Sequence, residues 1–222
     1  MKQKITLFLL MALCPLVASA YDTCINGIYY NVVKKAKQAT VTYGDNQDGT
    51  YSGVVVIPET IVYEGITCKV VGIEAWAFSK SSLTKLSIPS SITKIEKDAL
   101  MGLSVNELYI TDLKSWCNID FPHYGSNPLS CSSHLYVNNI LTTAITIPND
   151  VTAIKDYAFI EAKMLKSVTF SNNSNLESIG KSAFGECTSL ESINIPNKVT
   201  CIGEYNQEIK GETNVEIIPV IA

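Results

Sequence analysis

No arginine occurs in this chain of 222 residues, and only two histidines do, His123 and His134. Phosphate and nucleic-acid recognition lean on guanidinium forks and basic stripes, so the missing arginines and the net charge of −4 argue against a nucleic-acid partner. A phosphate loop, a dinucleotide-binding glycine fingerprint and a Gly-x-Ser-x-Gly elbow are all missing. Beyond the first twenty residues no apolar run approaches the roughly 20 residues that a membrane-spanning helix needs. These gaps point to a non-enzymatic protein with neither cofactor nor resident metal. Cys117, His123, Cys131 and His134 include the right atom types for zinc, but their spacing follows no zinc pattern. Asp45-Asn-Gln-Asp48-Gly49 lacks the alternation and the distant glutamate of a calcium loop and reads as a turn.

The first twenty residues are of another kind. Lys2 and Lys4 precede the apolar run Ile5–Leu13, and Ala18-Ser19-Ala20 forms a small-residue cleavage site. This is the grammar of a secretory signal, with the exported chain beginning at Tyr21. Six cysteines then remain: Cys24, Cys68, Cys117, Cys131, Cys187 and Cys201. Cys117–Cys131 and Cys187–Cys201 are open as bridges. Burial as free thiols is the other reading, favoured for Cys187 by the small or apolar residues in its slot in other copies.

What the chain has in abundance is one repeated phrase: Ile, three residues, Ala-Phe, a polar spacer, then Leu-x-x-apolar-x-apolar. It runs through Ile73, Ala77, Phe78, Leu83, Leu86 and Ile88, and again through Ile95, Ala99, Leu100, Val105, Leu108 and Ile110. It returns at Ile154, Ala158, Phe159, Leu165, Val168 and Phe170, and at Ile179, Ala183, Phe184, Leu190, Ile193 and Ile195. A unit this short cannot bury its own apolar face, so copies must stack. The expected fold is a β-rich solenoid with a short strand and a helical or 3-10 turn per repeat, closed at its N-terminal end by a β-hairpin cap.

Six stretches follow: the signal 1–20, the cap 21–71, repeats 72–112, an insertion 113–144, repeats 145–202, and a degenerate end 203–222. The insertion is marked by the distance from Ile95 to Ile154, too long for two units, and by its rings Trp116, Phe121, Tyr124 and Tyr136. These rings either pack a local core or form a binding patch. Alternation places Lys85, Ser87, Glu107, Tyr109, Ser167, Thr169, Ser192 and Asn194 outward on successive strands. With Trp116, Tyr124 and Tyr136 they are the candidate ligand-binding surface.

The phrase Ile-Gly-x-x-Ala-Phe-x-x-Cys-x-x-Leu-x-x-Ile-x-Ile-Pro at 179–196 resembles the BspA-type leucine-rich repeat family of secreted and surface proteins. The stretch from Leu108 through Trp116 to Ile119, with Ser126-Asn-Pro-Leu and His134-Leu-Tyr-Val, is similar to an insertion in members from host-associated bacteria. The resemblance covers roughly 55–202. It implies a leucine-rich repeat fold, display at the cell surface or secretion, and adhesion or binding to protein ligands, host matrix and plasma proteins among them. A carbohydrate-binding module built on Trp116, Tyr124 and Tyr136 is the alternative.

Overall fold

The computed structural model describes residues 20–203 and 217–218. The signal segment therefore lies, except for Ala20, outside the described residues, as does most of 203–222. The fold begins with β1 (Thr23–Ile25), β2 (Ile28–Val33) and β3 (Gln38–Thr42), an antiparallel meander. β4 (Ser52–Val56), the hairpin β5 (Thr60–Tyr63)–β6 (Ile66–Ile73), β7 (Ser82–Ile88), β8 (Lys94–Ile95) and β9 (Ser104–Ile110) follow. A one-turn helix, α1 (Leu113–Cys117), leads to β10 (Ser132–Val137) and β11 (Ile140–Leu141). The second half holds β12 (Ala144–Ile147), β13 (Ala153–Ile154), β14 (Ser167–Phe170), β15 (Ser178–Ile179), β16 (Ser192–Asn194), β17 (Cys201–Ile202) and β18 (Ile217–Ile218).

Two parallel ladders run along the stack. The first joins β4, β7, β9 and β10, and resumes as β12, β14, β16 and β18. Its register sets Leu86 beside Leu108 and Leu108 beside Leu135, then Ile145 beside Val168 and Val168 beside Ile193. The second joins β3, β6 and β8, and later β13, β15 and β17, with Ile73 beside Ile95 and Ile154 beside Ile179. Each repeated isoleucine and leucine thus rests on its copy one rung away, which gives one continuous dry interior.

The Ala-Phe segment makes a third line of rung-to-rung bonds. Phe78 N donates to Ala99 O at 2.8 Å, and Phe159 N to Ala183 O at 2.8 Å. Ala77, Ala99, Ala158 and Ala183 are fully buried, because backbone of the neighbouring rung passes where a longer side chain would stand. The residue before each alanine takes positive φ: Trp76 64°, Asp98 62°, Tyr157 61° and Ser182 47°. These left-handed residues make the return a tight hydrogen-bonded turn, and the short helices lie instead at Lys34–Ala36 and between Leu113 and Cys131.

The insertion supplies a rung of its own. β10 extends the first ladder beside β9, and Asp120 bridges to Lys94 in the second. Asn138 and Asn139, at φ 51° and 65°, then turn the chain into β11, which pairs antiparallel with β10 and interrupts the first ladder before β12. The seam is held by α1, which Asp112 caps by accepting from Ser115 N at 2.7 Å.

Candidate functional site

Alternation along β4, β7, β9 and β10 carries one set of side chains onto the outer face of the first ladder. The register aligns them in two rows. Val54, Lys85, Glu107 and His134 form one; Val56, Ser87, Tyr109 and Tyr136 form the other, which Leu141 of β11 continues. Tyr109 and Tyr136 stack with centroids 4.3 Å apart and planes within 4°. Lys85 Nζ lies 3.7 Å from the Tyr109 centroid on the same face, a cation–π contact. Tyr109 donates its hydroxyl to Glu107 Oε2 at 3.1 Å. Desolvation, and next the Glu107 carboxylate, raise the Tyr109 phenol above its ordinary value, so it is a neutral donor at physiological pH.

Five of the predicted surface residues therefore converge: Lys85, Ser87, Glu107, Tyr109 and Tyr136. A separate patch holds Ser167, Thr169 and Asn194. Ser167 and Thr169 pair with Ala144 and Thr146, Ser192 pairs with Ser167, and Asn194 is exposed. Thr146 and Thr169 hydroxyls bond each other at 2.9 Å. Tyr124 is exposed in a 3-10 turn and packs on His123, 4.1 Å between centroids.

Trp116 does not belong to the surface, and the expectation that it does is corrected here. Only 2% of it is accessible, and its Nε1 donates to Ala158 O at 2.7 Å. Asn127, also buried, donates to Tyr157 O and Ala158 O at 2.7 and 2.8 Å. With Phe121, Leu129 and Leu135 these groups weld the insertion to the second half, the local-core reading of the rings. A carbohydrate site needs an open ring face. Of the three rings of that alternative, Trp116 offers none, Tyr136 has one face stacked on Tyr109, and Tyr124 is exposed beside His123.

The outward residues that sequence reasoning missed are Val54, Val56, His134 and Leu141. Val54 and Val56 are 63% and 53% exposed. The signal was present: Val55 and Ile57 face inward with the Ile-Pro ending of the repeat, and Leu135-x-Val137 repeats the inward pair of the other strands. His134 lies on this outer face, while Cys117 is fully buried in the interior. Among the described residues no three histidine, cysteine or acidic side chains are gathered as a metal site.

All six described thiols are free, so neither suggested bridge forms. Cys187 fills the interior and donates to Phe159 O at 3.1 Å, while Cys201 sits exposed in β17. Burial pushes the Cys117 and Cys187 thiols up to about 12, so neither is a nucleophile at neutral pH. Asp48, in the turn once compared with a calcium loop, accepts from Ser79 Oγ at 2.7 Å and Lys80 Nζ at 2.6 Å, pinning that turn to the next rung. No helix among the described residues is long and apolar enough to cross a membrane.

The chain is similar to several solved structures. One is the pneumococcal vaccine antigen PcpA, at 21% identity over 88% of this chain and 48% of that one, TM-score 0.44. A leucine-rich cell surface protein of Faecalibacterium prausnitzii shares 19% identity over 83% and 51%, TM-score 0.45. A leucine-rich repeat protein of Bacteroides ovatus shares 23% over 83% and 50%, TM-score 0.44. The chain spans about half the length of each of the three. No curated protein matches it. The profile of the BspA type leucine rich repeat region matches six copies, over residues 65–126 and 129–217, taking in most of the insertion and continuing past Ile202. With more than half of its length matched, the chain belongs to the BspA-type leucine-rich repeat family.

Proposed function

We propose that this is an exported, non-enzymatic adhesion or protein-binding module, displayed at the cell surface or secreted, whose protein ligand docks on the outer face of the first ladder. The observation that carries the reading is the Lys85–Tyr109–Tyr136 column, flanked by the exposed Val56 and Leu141. Tyrosines on a rigid sheet offer large contact area at little entropy loss, and such residues dominate binding energy at interfaces. Export rests on the charged, apolar and small-residue order of the first twenty residues. The absence of catalytic motifs supports a binding role.

Biolayer interferometry against immobilised matrix and plasma proteins, fibronectin and fibrinogen included, tests the reading. One ligand should bind the wild type and lose at least tenfold with Tyr136→Ala, while Thr169→Ala binds normally. A panel with no binder, or a binder indifferent to Tyr109→Ala and Tyr136→Ala, overturns it. Amino-terminal sequencing of the exported product should begin at Tyr21.

A further inference from the structure

Among the described residues the first strand of the first ladder has a partner on one side only: β4 pairs with β7 and ends the sheet. Ser82 N donates to Tyr51 O and Ile57 N to Ser87 O, so the odd-numbered peptide groups turn toward β7. Alternation then aims the amides and carbonyls of Ser52, Val54 and Val56 away from the sheet. Proteins shield such edges with lysine, proline or very short strands. β11, at the other end of this sheet, is two residues long. β4 is five residues, Ser52-Gly-Val-Val-Val, with no charge and no proline, and its one irregularity falls at Gly53, before the valines.

The edge also has room beside it. A groove of about 570 Å³ separates β4 from the β1–β2 turn at Ile25–Ile28, with Tyr30 and Tyr51 in its lining, and no charged side chain lines it. From strand rise, strand spacing and sheet separation, a residue in a sheet fills roughly 160 Å³. The groove therefore has space for three to four residues of one extended chain. The β1–β2 turn stands opposite the edge as a second wall. A folded second copy would have to bring its neighbouring strands in with its edge, whereas a single peptide strand enters alone.

We infer that β4 receives an extended, uncharged segment of a partner protein as an added strand. Main-chain bonds to Ser52, Val54 and Val56 supply affinity, and β-branched or apolar residues at alternate positions pack beside Val54 and Val56. The added strand would extend the outer face that carries Lys85 and Tyr109, so the inference rests on the protein-binding reading and names the form of the ligand.

Fluorescence anisotropy with two labelled, end-blocked peptides tests it: Thr-Val-Thr-Val-Ser-Val-Thr, and the same sequence N-methylated at alternate peptide nitrogens. The purified full chain should bind the first at least tenfold more tightly than the second. Val56→Pro removes a free-edge donor at a position an edge strand tolerates. It should weaken the first peptide at least tenfold, with Thr169→Ala unchanged. If Val56→Pro fails to fold, the methylated peptide decides alone. Equal binding of both peptides, or of neither, overturns the inference. So does a dimer in sedimentation that Val56→Pro dissolves, which would give the edge to a second copy. A protein ligand lost with Tyr136→Ala but kept with Val56→Pro leaves the protein-binding reading standing and removes the strand.

Discussion

The two halves of the first ladder share an interior and differ in what they show to water. Inward, Leu86, Leu108 and Leu135 in the first half correspond to Ile145, Val168 and Ile193 in the second, all buried. Outward, the first half carries Lys85, Glu107, Tyr109 and Tyr136, and the second carries Thr146, Thr169 and Asn194. The threonine hydroxyls there bond within the ladder, so that face is already satisfied by its own neighbours. The first face instead holds stacked rings and exposed valines. Stacking is determined by the inward positions alone, which leaves the outward ones free to differ between halves. A role confined to one half is therefore written outside the repeat consensus.

The strongest way to break this comparison is to cut the seam between the halves. Trp116 is the bridge, with its ring in the interior of the insertion and its N–H on Ala158 O. Trp116→Ala should destabilise by about 3–5 kcal/mol through the void it leaves, Ala158 O keeping its bond from Asn127. Urea denaturation followed by far-UV circular dichroism should change from one transition to two, the C-terminal rungs melting first. A single unshifted transition would mean that the halves do not depend on this seam. Trp116→Phe, which keeps most of the ring but loses the donor, should cost only about 1 kcal/mol.

A second contrast lies on the second ladder. The residue after the rung isoleucine is Glu74 and Glu96 in the first half, and Lys155, Gly180 and Gly203 in the second, so only the second half brings glycine to this slot. A Cβ on Gly180 would stand 2.4 Å from Asp156 N, and one on Gly203 2.5 Å from Lys181 N. Gly180→Ala should therefore push rungs apart and cost about 1–3 kcal/mol, read as a lowered melting temperature. Glu74→Ala creates no clash, and its effect should be confined to the bonds that Asn31 and Thr40 make to its carboxylate.

These contrasts also mark how far the residues alone could be read. Repeated Ile, Ala-Phe and Leu positions were legible because each must meet its copy, which makes spacing a record of contact. The rung at β10 was hidden because the long approach from Leu113 to Cys131 masks the period, although Leu135-x-Val137 keeps the inward pair. Trp116 was misplaced among surface rings because residue type says nothing of which side of a short helix meets Ala158. The convergence of Lys85, Glu107, Tyr109 and Tyr136 was partly readable from alternation. Its extension to Val54 and Val56 required knowing that β4 is a rung.

A gentler test separates the two outer faces. Tyr109→Ala removes a stacked ring pair and a cation–π contact, and should cost about 0.5–1.5 kcal/mol. Thr169→Ala removes the exposed hydroxyl's contacts with Thr146 Oγ1 and Ile145 O and should cost at most about 0.5 kcal/mol. Equal losses in chemical denaturation would erase the energetic difference between the faces.

The smallest effect concerns the ion pairs that staple each half's loops. Asp150 Oδ2 accepts from Lys114 Nζ at 2.6 Å across the seam, with both side chains about half exposed. The hydrogen bond from Lys114 holds the Asp150 carboxyl below its ordinary value of 3.8. A group whose value is depressed on folding stabilises above its unfolded value, and that contribution disappears as pH falls through the folded one. The window therefore opens just below pH 4 and extends downward, and neutral pH lies on its flat, stabilised side. At this exposure solvent screening leaves the pair almost no net weight. Lys114→Met should accordingly leave the melting temperature at pH 7 unchanged, while carboxyl ¹³C titration shows Asp150 moving up toward the ordinary value. Raising the salt concentration in the wild type should move it the same way. A melting point that falls by several degrees in Lys114→Met would show that this pair, and not only Trp116, binds the insertion to the second half.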